Sequence, residues 1–337
     1  MGNFFLSCDW GTSTFRLRLV DAQNHQVIGE VFSEFGAAET YNCWKVRKPN
    51  TISKRNFYLE QLQQNIDALS NKVSLSLDIM PVIISGMASS SIGIKDLPYA
   101  PLPFSIDGTD VIIHKMSATN NFCHDGYLIS GVSNKLDVMR GEETQIIGLS
   151  KIDNKIYSSK GIICIFPGTH SKHVVVKDGR IVDFQTYMTG EIFHVMAHHS
   201  ILKNTISGYY KKQILNESDI DAFCRGISQS KNSNLLHSLF SVRINQLFGY
   251  LNDESNFFYL SGLLIGTELR SLLKRRDSHI MLCCGSNIYN LYLHAITQLK
   301  MLDKTSLIGP EIMDNAAVEG QINIFQKLNR NLLKLIE

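Results

Sequence analysis

The chain has no CxxC pair, and its seven cysteines (8, 43, 123, 164, 224, 283 and 284) cannot all pair with one another because their number is odd. Reduced thiols, mostly in the core of a cytoplasmic protein, are therefore expected. It also has no basic run. With 33 basic against 31 acidic residues and a formal charge of +2, nothing points to nucleic acid or to a membrane surface. No apolar run is long enough to span a bilayer. The longest, residues 257–273, contains Glu268 and Arg270 and reads as a buried helix. The chain enters a strand at Phe4 without the basic segment and apolar core of a signal peptide, so none is expected. Low-complexity segments and long linkers are missing as well. HExxH is absent too: His194, His198 and His199 follow Glu191 in an expected helix. Zinc is set aside there, in favour of a substrate-facing or core histidine. What remains is 337 residues, 44% apolar, too long for one core and sufficient for two.

Two stretches repeat each other. Residues 6–21 read LSCDWGTSTFRLRLVD, and residues 163–178 read ICIFPGTHSKHVVVKD. Setting Gly11 and Thr12 on Gly168 and Thr169 also sets Asp21 on Asp178. Each copy reads as a strand, a Gly-Thr turn, a second strand and a further turn. A β-hairpin of this kind offers backbone N–H groups and small hydroxyls at its tip, the equipment that holds phosphate oxygens. Two such tips suggest two similar domains closing on one nucleotide. Asp9 in the first copy is replaced by Phe166 in the second, so only the first hairpin carries a carboxylate for a metal ion. The second adds His170 and Lys172, positive or proton-donating groups beside the phosphates.

Along the chain, residues 4–33 predict a three-strand meander with turns at Gly11 and near Asn24. Helix is expected over 55–71. A buried strand over 79–86 runs into the small-residue loop SGMASSSIG. The stretch PYAPLP, 98–103, predicts an ordered loop. Residues 141–151 begin with acids and end with a base, the order the helix dipole favours. Strands follow over 161–186, then mainly helix over 190–276. A strand over 279–285 leads into a helix from Ser286, and an amphipathic helix covers 311–334. The polar stretch 151–160 suggests the boundary between domains.

The segments DWGTSTFRLRL (9–19), SGMASSSIG (85–93), DVMRGEETQIIG (137–148), FPGTHSKHV (166–174), DFQTYMTGE (183–191) and LSGLLIGTEL (260–269) together resemble the 2-dehydro-3-deoxygalactonokinase family. That family lies within the actin-like superfamily of sugar kinases, heat-shock ATPases and actin. MRGEETQ and PGTHSK carry the resemblance most specifically. It spans nearly the whole chain and departs from the family in 34–60 and 203–234. It implies an α/β fold of two actin-like (ribonuclease H-like) domains with a nucleotide cleft between them. Residues 1–150 with the helix 313–337 would form the first domain, and 151–312 the second. DNAAVEG (314–320), where the chain crosses back, would allow close helix packing and hinge motion.

The implied activity is ATP-dependent phosphorylation of a 2-keto-3-deoxy sugar acid, with ATP and Mg²⁺ as cofactors. Asp9 would hold the metal through water, since Mg²⁺ keeps part of its hydration shell. Gly11, Thr12, Ser13, Thr14, Gly168, Thr169, His170, Ser171 and Lys172 would hold phosphates, and Gly285 and Ser286 the adenosine. Arg16, Ser85, Gly86, Met87, Arg140 and Glu191 would face the substrate. The resemblance places the base that accepts the hydroxyl proton at MRGEETQ, which makes Glu142 and Glu143 the candidates. Neighbouring helical residues point about 100° apart, and Glu142 is favoured. The partner is a small-molecule sugar acid, with no nucleic acid or membrane, and homodimerisation is left open. The rivals are another sugar or sugar-acid kinase of the same fold and a nucleotide-gated binding ATPase.

Overall fold

The computed structural model describes residues 3–47, 51–157, 160–206, 216–231, 234–275, 278–330, 333 and 335–336. In chain order its elements are β1 (Phe4–Trp10), β2 (Phe15–Asp21), β3 (Gln26–Ser33), α1 (Ala37–Val46), α2 (Lys54–Val73) and β4 (Val82–Gly86). Short strands follow: β5 (Ala100–Pro101), β6 (Phe104–Ser105), β7 (Ile113–Met116), β8 (Gly126–Ile129), β9 (Val132–Ser133) and β10 (Val138–Met139). Then come α3 (Glu142–Ile152), β11 (Ile162–Phe166), β12 (Ser171–Lys177), β13 (Arg180–Tyr187), α4 (Thr189–His199), α5 (Glu217–Gln229), α6 (Leu235–Leu247) and α7 (Asp253–Leu269). The chain ends with β14 (His279–Cys283), α8 (Ser286–Gln298), β15 (Thr305–Ile308), α9 (Pro310–Asn329) and β16 (Leu335–Ile336).

Two compact units result. The first is Met1–Ser159 with Val176–Asp183 and Met313–Glu337; the second is Lys160–Val175 with Phe184–Ile312. Val176–Asp183 lies inside the span expected for the second domain but groups with the first unit, where Arg180 and Ile181 pair with Ser105 and Phe104. Ser158 and Ser159, within the expected boundary stretch, lie outside the described residues.

The sheet of the first unit runs β16-β7-β8-β4-β1-β2-β3. β1 and β2 pair antiparallel, while β1 pairs β4 and β4 pairs β8 in parallel. A second sheet runs β15-β14-β11-β12-β13-β6, with β11 pairing β14 and β14 pairing β15 in parallel. Each sheet thus contains a three-strand meander whose first strand has one parallel neighbour, which in turn pairs with a second parallel strand.

Strand alternation decides which side chains go where. In β2, Phe15, Leu17 and Leu19 turn into a core with Trp10 and with Tyr58, Leu62, Ile66 and Leu69 of α2. Those α2 positions recur at the spacing of one helical face. Arg16, Arg18 and Asp9 take the opposite face. There Phe325 of α9 stacks on Phe5 at 4.7 Å, and Gln321 Nε2 donates to Cys8 O at 2.9 Å. Small residues let α9 meet α3 backbone to backbone: a Cβ on Gly148 would lie 1.8 Å from Ala316 O. The expected close packing at DNAAVEG is this crossing. The helix expected to reach residue 334 stops at Asn329, and Leu335 and Ile336 pair with β7; residues 331, 332 and 334 lie outside the described residues. In the second unit α7 is buried on nearly all sides, as its apolar composition requires.

Candidate active site

The first tip joins β1 to β2. The start of α1 backs it: Ala37 N donates to Gly11 O at 2.9 Å and Ala38 N to Thr12 O at 3.1 Å. With those carbonyls engaged, the backbone amides of Thr12, Ser13 and Thr14 are left donating to no protein acceptor among the described residues. Ser13 and Thr14 are exposed. Amides on a solvent-facing turn with no protein partner are an anion site in waiting.

Asp9 sits beneath this tip, opposite Arg16 on β2 and Ser85 on β4. Among the described residues its carboxylate makes no hydrogen bond or ion pair. Burial pushes its carboxyl above the usual range, against the pull of Arg16 and Arg18. A bound cation would reverse that shift.

The loop after β4 brings the start of α3 to the same place. Gly86 has φ +84° and Gly141 φ +109°, angles that side-chain-bearing residues rarely adopt. A Cβ on Gly86 would lie 2.6 Å from Trp10 O and 3.4 Å from Asp9 Oδ1; one on Gly141 would lie 3.5 Å from Gly86 Cα. These contacts set the N-terminus of α3, with Glu142 as its first residue, beside the end of β1.

The two glutamates differ sharply. Glu143 is 1% exposed. Its Oε2 accepts from Gly141 N at 2.7 Å and its Oε1 from Thr144 Oγ1 at 3.0 Å. Burial, with the charge of Glu142 second, pushes its carboxyl up to about 8. Glu142 is only half-buried. The folded state therefore keeps a proton on Glu143 that the unfolded chain releases near 4.5, and stability from this group falls as pH rises from about 4.5 to about 8. Thermal melts should show Glu143→Gln losing less stability than the wild type between pH 5 and pH 8 (roughly the window of that shift). Parallel curves would contradict this.

The second tip joins β11 to β12 and is backed in the same way. Glu191 N, at the start of α4, donates to Thr169 O at 3.0 Å. The amides of Thr169 and His170 donate to no protein acceptor among the described residues. Lys172 is 6% exposed, yet its ammonium has no hydrogen-bond or ion-pair partner among the described residues. A cation left without a protein partner is available to an anion. Gly285 begins α8 with open space where a Cβ would stand, room for a flat ring, and Ser286 beside it is exposed.

Four of the expected site residues have partners within the chain. Arg140 was expected to bind the substrate carboxylate, but its guanidinium is buried: Nη1 donates to Ser89 Oγ at 2.8 Å and Nη2 to Leu97 O at 2.8 Å, while the group stacks over Tyr99. It braces the 86–97 loop. Ser85 is buried, and its Oγ accepts from Gln321 Nε2 at 2.8 Å. The Ser171 hydroxyl turns inward to Tyr292 at 3.2 Å. Glu191 holds His170 Nε2 at 2.5 Å. Met87 remains half-buried in its loop. Arg16 pairs with Asp314 at 3.2 Å on a half-open surface, a weak contact that an incoming anion can replace. The rings of His194 and His198 lie 4.4 Å apart on α4, with His199 beside them.

The sequence profile of the 2-keto-3-deoxy-galactonokinase family matches residues 9–320. The chain belongs to this family. Among its relatives, the probable 2-dehydro-3-deoxygalactonokinase of Rhizobium meliloti (strain 1021) is 31% identical over 281 residues, 80% of each chain. The 2-dehydro-3-deoxygalactonokinase of Escherichia coli (strain K12) is 32% identical over 234 residues, 68% of this chain and 74% of the other. A crystal structure of a "putative 2-dehydro-3-deoxygalactonokinase protein" from Sinorhizobium meliloti superposes with a TM-score of 0.73 at 25% identity, covering 96% of this chain and 99% of the other.

Two glycines of this galactonokinase-family chain escape the sequence reading. A Cβ on Gly36 would lie 2.4 Å from Thr12 O, and one on Gly190 2.6 Å from Gly168 O and 2.8 Å from Thr169 Cα. Each lets a helix start press against a tip. The signal was available: a glycine opens both helices, in FGAAE and in MTGEI. Overpacking against backbone costs about 1–3 kcal/mol, so Gly190→Ala should raise the KM for ATP by roughly 5- to 150-fold where that strain falls on the bound state. An unchanged KM would show that the tip tolerates displacement.

Proposed function

We propose that the chain transfers the γ-phosphoryl group of ATP to the 6-hydroxyl of 2-dehydro-3-deoxy-D-galactonate, giving the 6-phosphate, in galactonate catabolism. The observation that carries this reading is the pair of hairpin tips. Both have unengaged amides backed by a helix start, but only the first has a carboxylate and only the second a lysine, Lys172, whose ammonium has no partner among the described residues. Family membership supplies the acceptor.

Asp9 fits Mg²⁺, because its carboxylate is unclaimed by protein donors and that ion needs only one or two carboxylates beside phosphate and water. When bound, the ion would neutralise charge on the phosphates. The amides of residues 12–14 bind phosphate oxygens at the first tip; those of Thr169 and His170, with Lys172, do so at the second. His170, steadied by Glu191, offers a further donor. Glu142 takes the proton of the 6-hydroxyl as its oxygen bonds to the γ-phosphorus and the bond to the β-phosphate oxygen breaks, leaving ADP. Gly285 and Ser286 receive the adenosine. Arg16 exchanges Asp314 for an anionic group of the substrate. Arg140 keeps the sugar-side loop in shape from behind. No helix among the described residues is long and apolar enough to cross a membrane; a cytoplasmic setting fits ATP as donor and free cysteines.

Lys172→Ala removes a charged contact of about 1.5–3 kcal/mol. It should raise the KM for ATP about tenfold or more and leave that for the sugar acid nearly unchanged. The reverse pattern would move the second tip to the acceptor side. The reading as a whole is tested by ADP release over a panel of keto-deoxy sugar acids with ATP and Mg²⁺. The galactonate-derived acid should give the highest kcat/KM, and a higher value for another acceptor would overturn the substrate assignment.

A further inference from the structure

The segment LSGLLIGTEL (260–269) has no part in the reaction just described, yet it ends in a buried charge. Glu268 of α7 is 2% exposed. Its Oε1 accepts from His173 Nε2 of β12 at 3.0 Å, and its Oε2 from Tyr292 OH of α8 at 2.8 Å and from Thr189 Oγ1 of α4. The Tyr292 hydroxyl also lies 3.2 Å from Ser171 Oγ, which is 3.4 Å from Gly168 N in the second tip. One carboxylate thus gathers three elements, each next to a proposed nucleotide contact. Ser171 and His173 flank Lys172 on β12. Thr189 precedes Gly190 and Glu191, which back the tip and hold His170. Tyr292 stands about two turns into the helix that begins at Gly285 and Ser286.

We infer that Glu268 is a positioning residue for the nucleotide, holding the second tip, the start of α4 and helix α8 in one fixed register. Strand alternation gives the mechanism. With Ser171 and His173 tied to one face of β12, Lys172 is directed to the other, and its ammonium is not free to withdraw. His173 Nε2 donates to the carboxylate, which leaves Nδ1 buried without a partner. That ring therefore depends on Glu268 for its placement, helped by Tyr187 packed against it at 4.5 Å. The inference rests on the ATP-binding part of the reading above.

Two mild variants test it. Tyr292→Phe deletes only the hydroxyl between Ser171 and Glu268. Glu268→Gln keeps the volume but offers one acceptor oxygen and one NH₂ where the carboxylate offers two acceptors. The measurements are the Kd for ATP by calorimetry, both KM values, kcat and the melting temperature. The KM and Kd for ATP should rise about fivefold in Tyr292→Phe and about tenfold or more in Glu268→Gln. The sugar-acid KM and the kcat at saturating ATP should change less than about twofold, since neither variant touches the base or the acceptor. A lowered melting temperature with unchanged ATP affinity would overturn the inference and leave the cluster a packing feature. A wild-type protein that binds no ATP would instead overturn the kinase reading beneath it.

Discussion

Glu142→Gln is expected to lower kcat by about 10²–10⁴-fold, the usual worth of general-base catalysis, with sugar-acid binding largely intact. Glutamine keeps the size and most hydrogen bonds of the side chain but cannot take a proton. The expectation depends on the division of labour at the start of α3. Glu143 is buried and accepts from the N–H of Gly141, the residue before its helix, and from Thr144, which turns it inward. Glu142, one position earlier and about 100° around the helix, is the half-exposed member. Glu143→Gln should therefore retain most of the turnover. Steady-state kinetics of both variants decides the matter. If Glu143→Gln is the dead enzyme and Glu142→Gln the active one, the base is the neighbour. If both remain active, MRGEETQ is structural and His170 becomes the next group to test.

Asp9→Asn should bind ATP and lose most of its turnover, on the order of 10²-fold or more, because the metal's electrostatic contribution is worth several kcal/mol. The substitution preserves shape and removes charge. Gly86 runs so close to the end of β1 that a Cβ on it would stand 2.6 Å from Trp10 O and 3.4 Å from Asp9 Oδ1. Titration with ATP followed by turnover at rising Mg²⁺ is the check. Near-normal kcat at saturating Mg²⁺ would remove Asp9 from the metal site.

Much of the fold was legible because its signals are local. Alternation in residues 4–33 marks three strands, and the Gly-Thr repeat marks two equivalent tips. The acids of GEETQ mark the start of α3. The apolar run at 257–273 marks the buried α7. Other features were hidden because their causes are distant in sequence. Arg140 has the chemistry of a carboxylate binder, and only Ser89, 51 residues earlier, shows that it is used internally. Ser171 reads as a phosphate contact until Tyr292, 121 residues later, claims its hydroxyl. Helix α1 escaped notice because only Ala37 and Thr40 of it are buried. The pairing of β16 with β7 joins the chain's end to residues 113–114, which no local pattern announces. Glu268 stands in the run read as a buried helix, and only the fold supplies its three donors.

The central claim, that two like tips serve phosphoryl transfer from ATP to a sugar acid, is tested most directly by following the phosphorus. Phosphorus NMR of a reaction containing ATP, Mg²⁺ and 2-dehydro-3-deoxy-D-galactonate should show one new monoester, on the 6-oxygen, forming in step with ADP, and almost no inorganic phosphate. Inorganic phosphate released at the same rate with or without the acceptor would contradict the account and make the protein a nucleotide-gated ATPase.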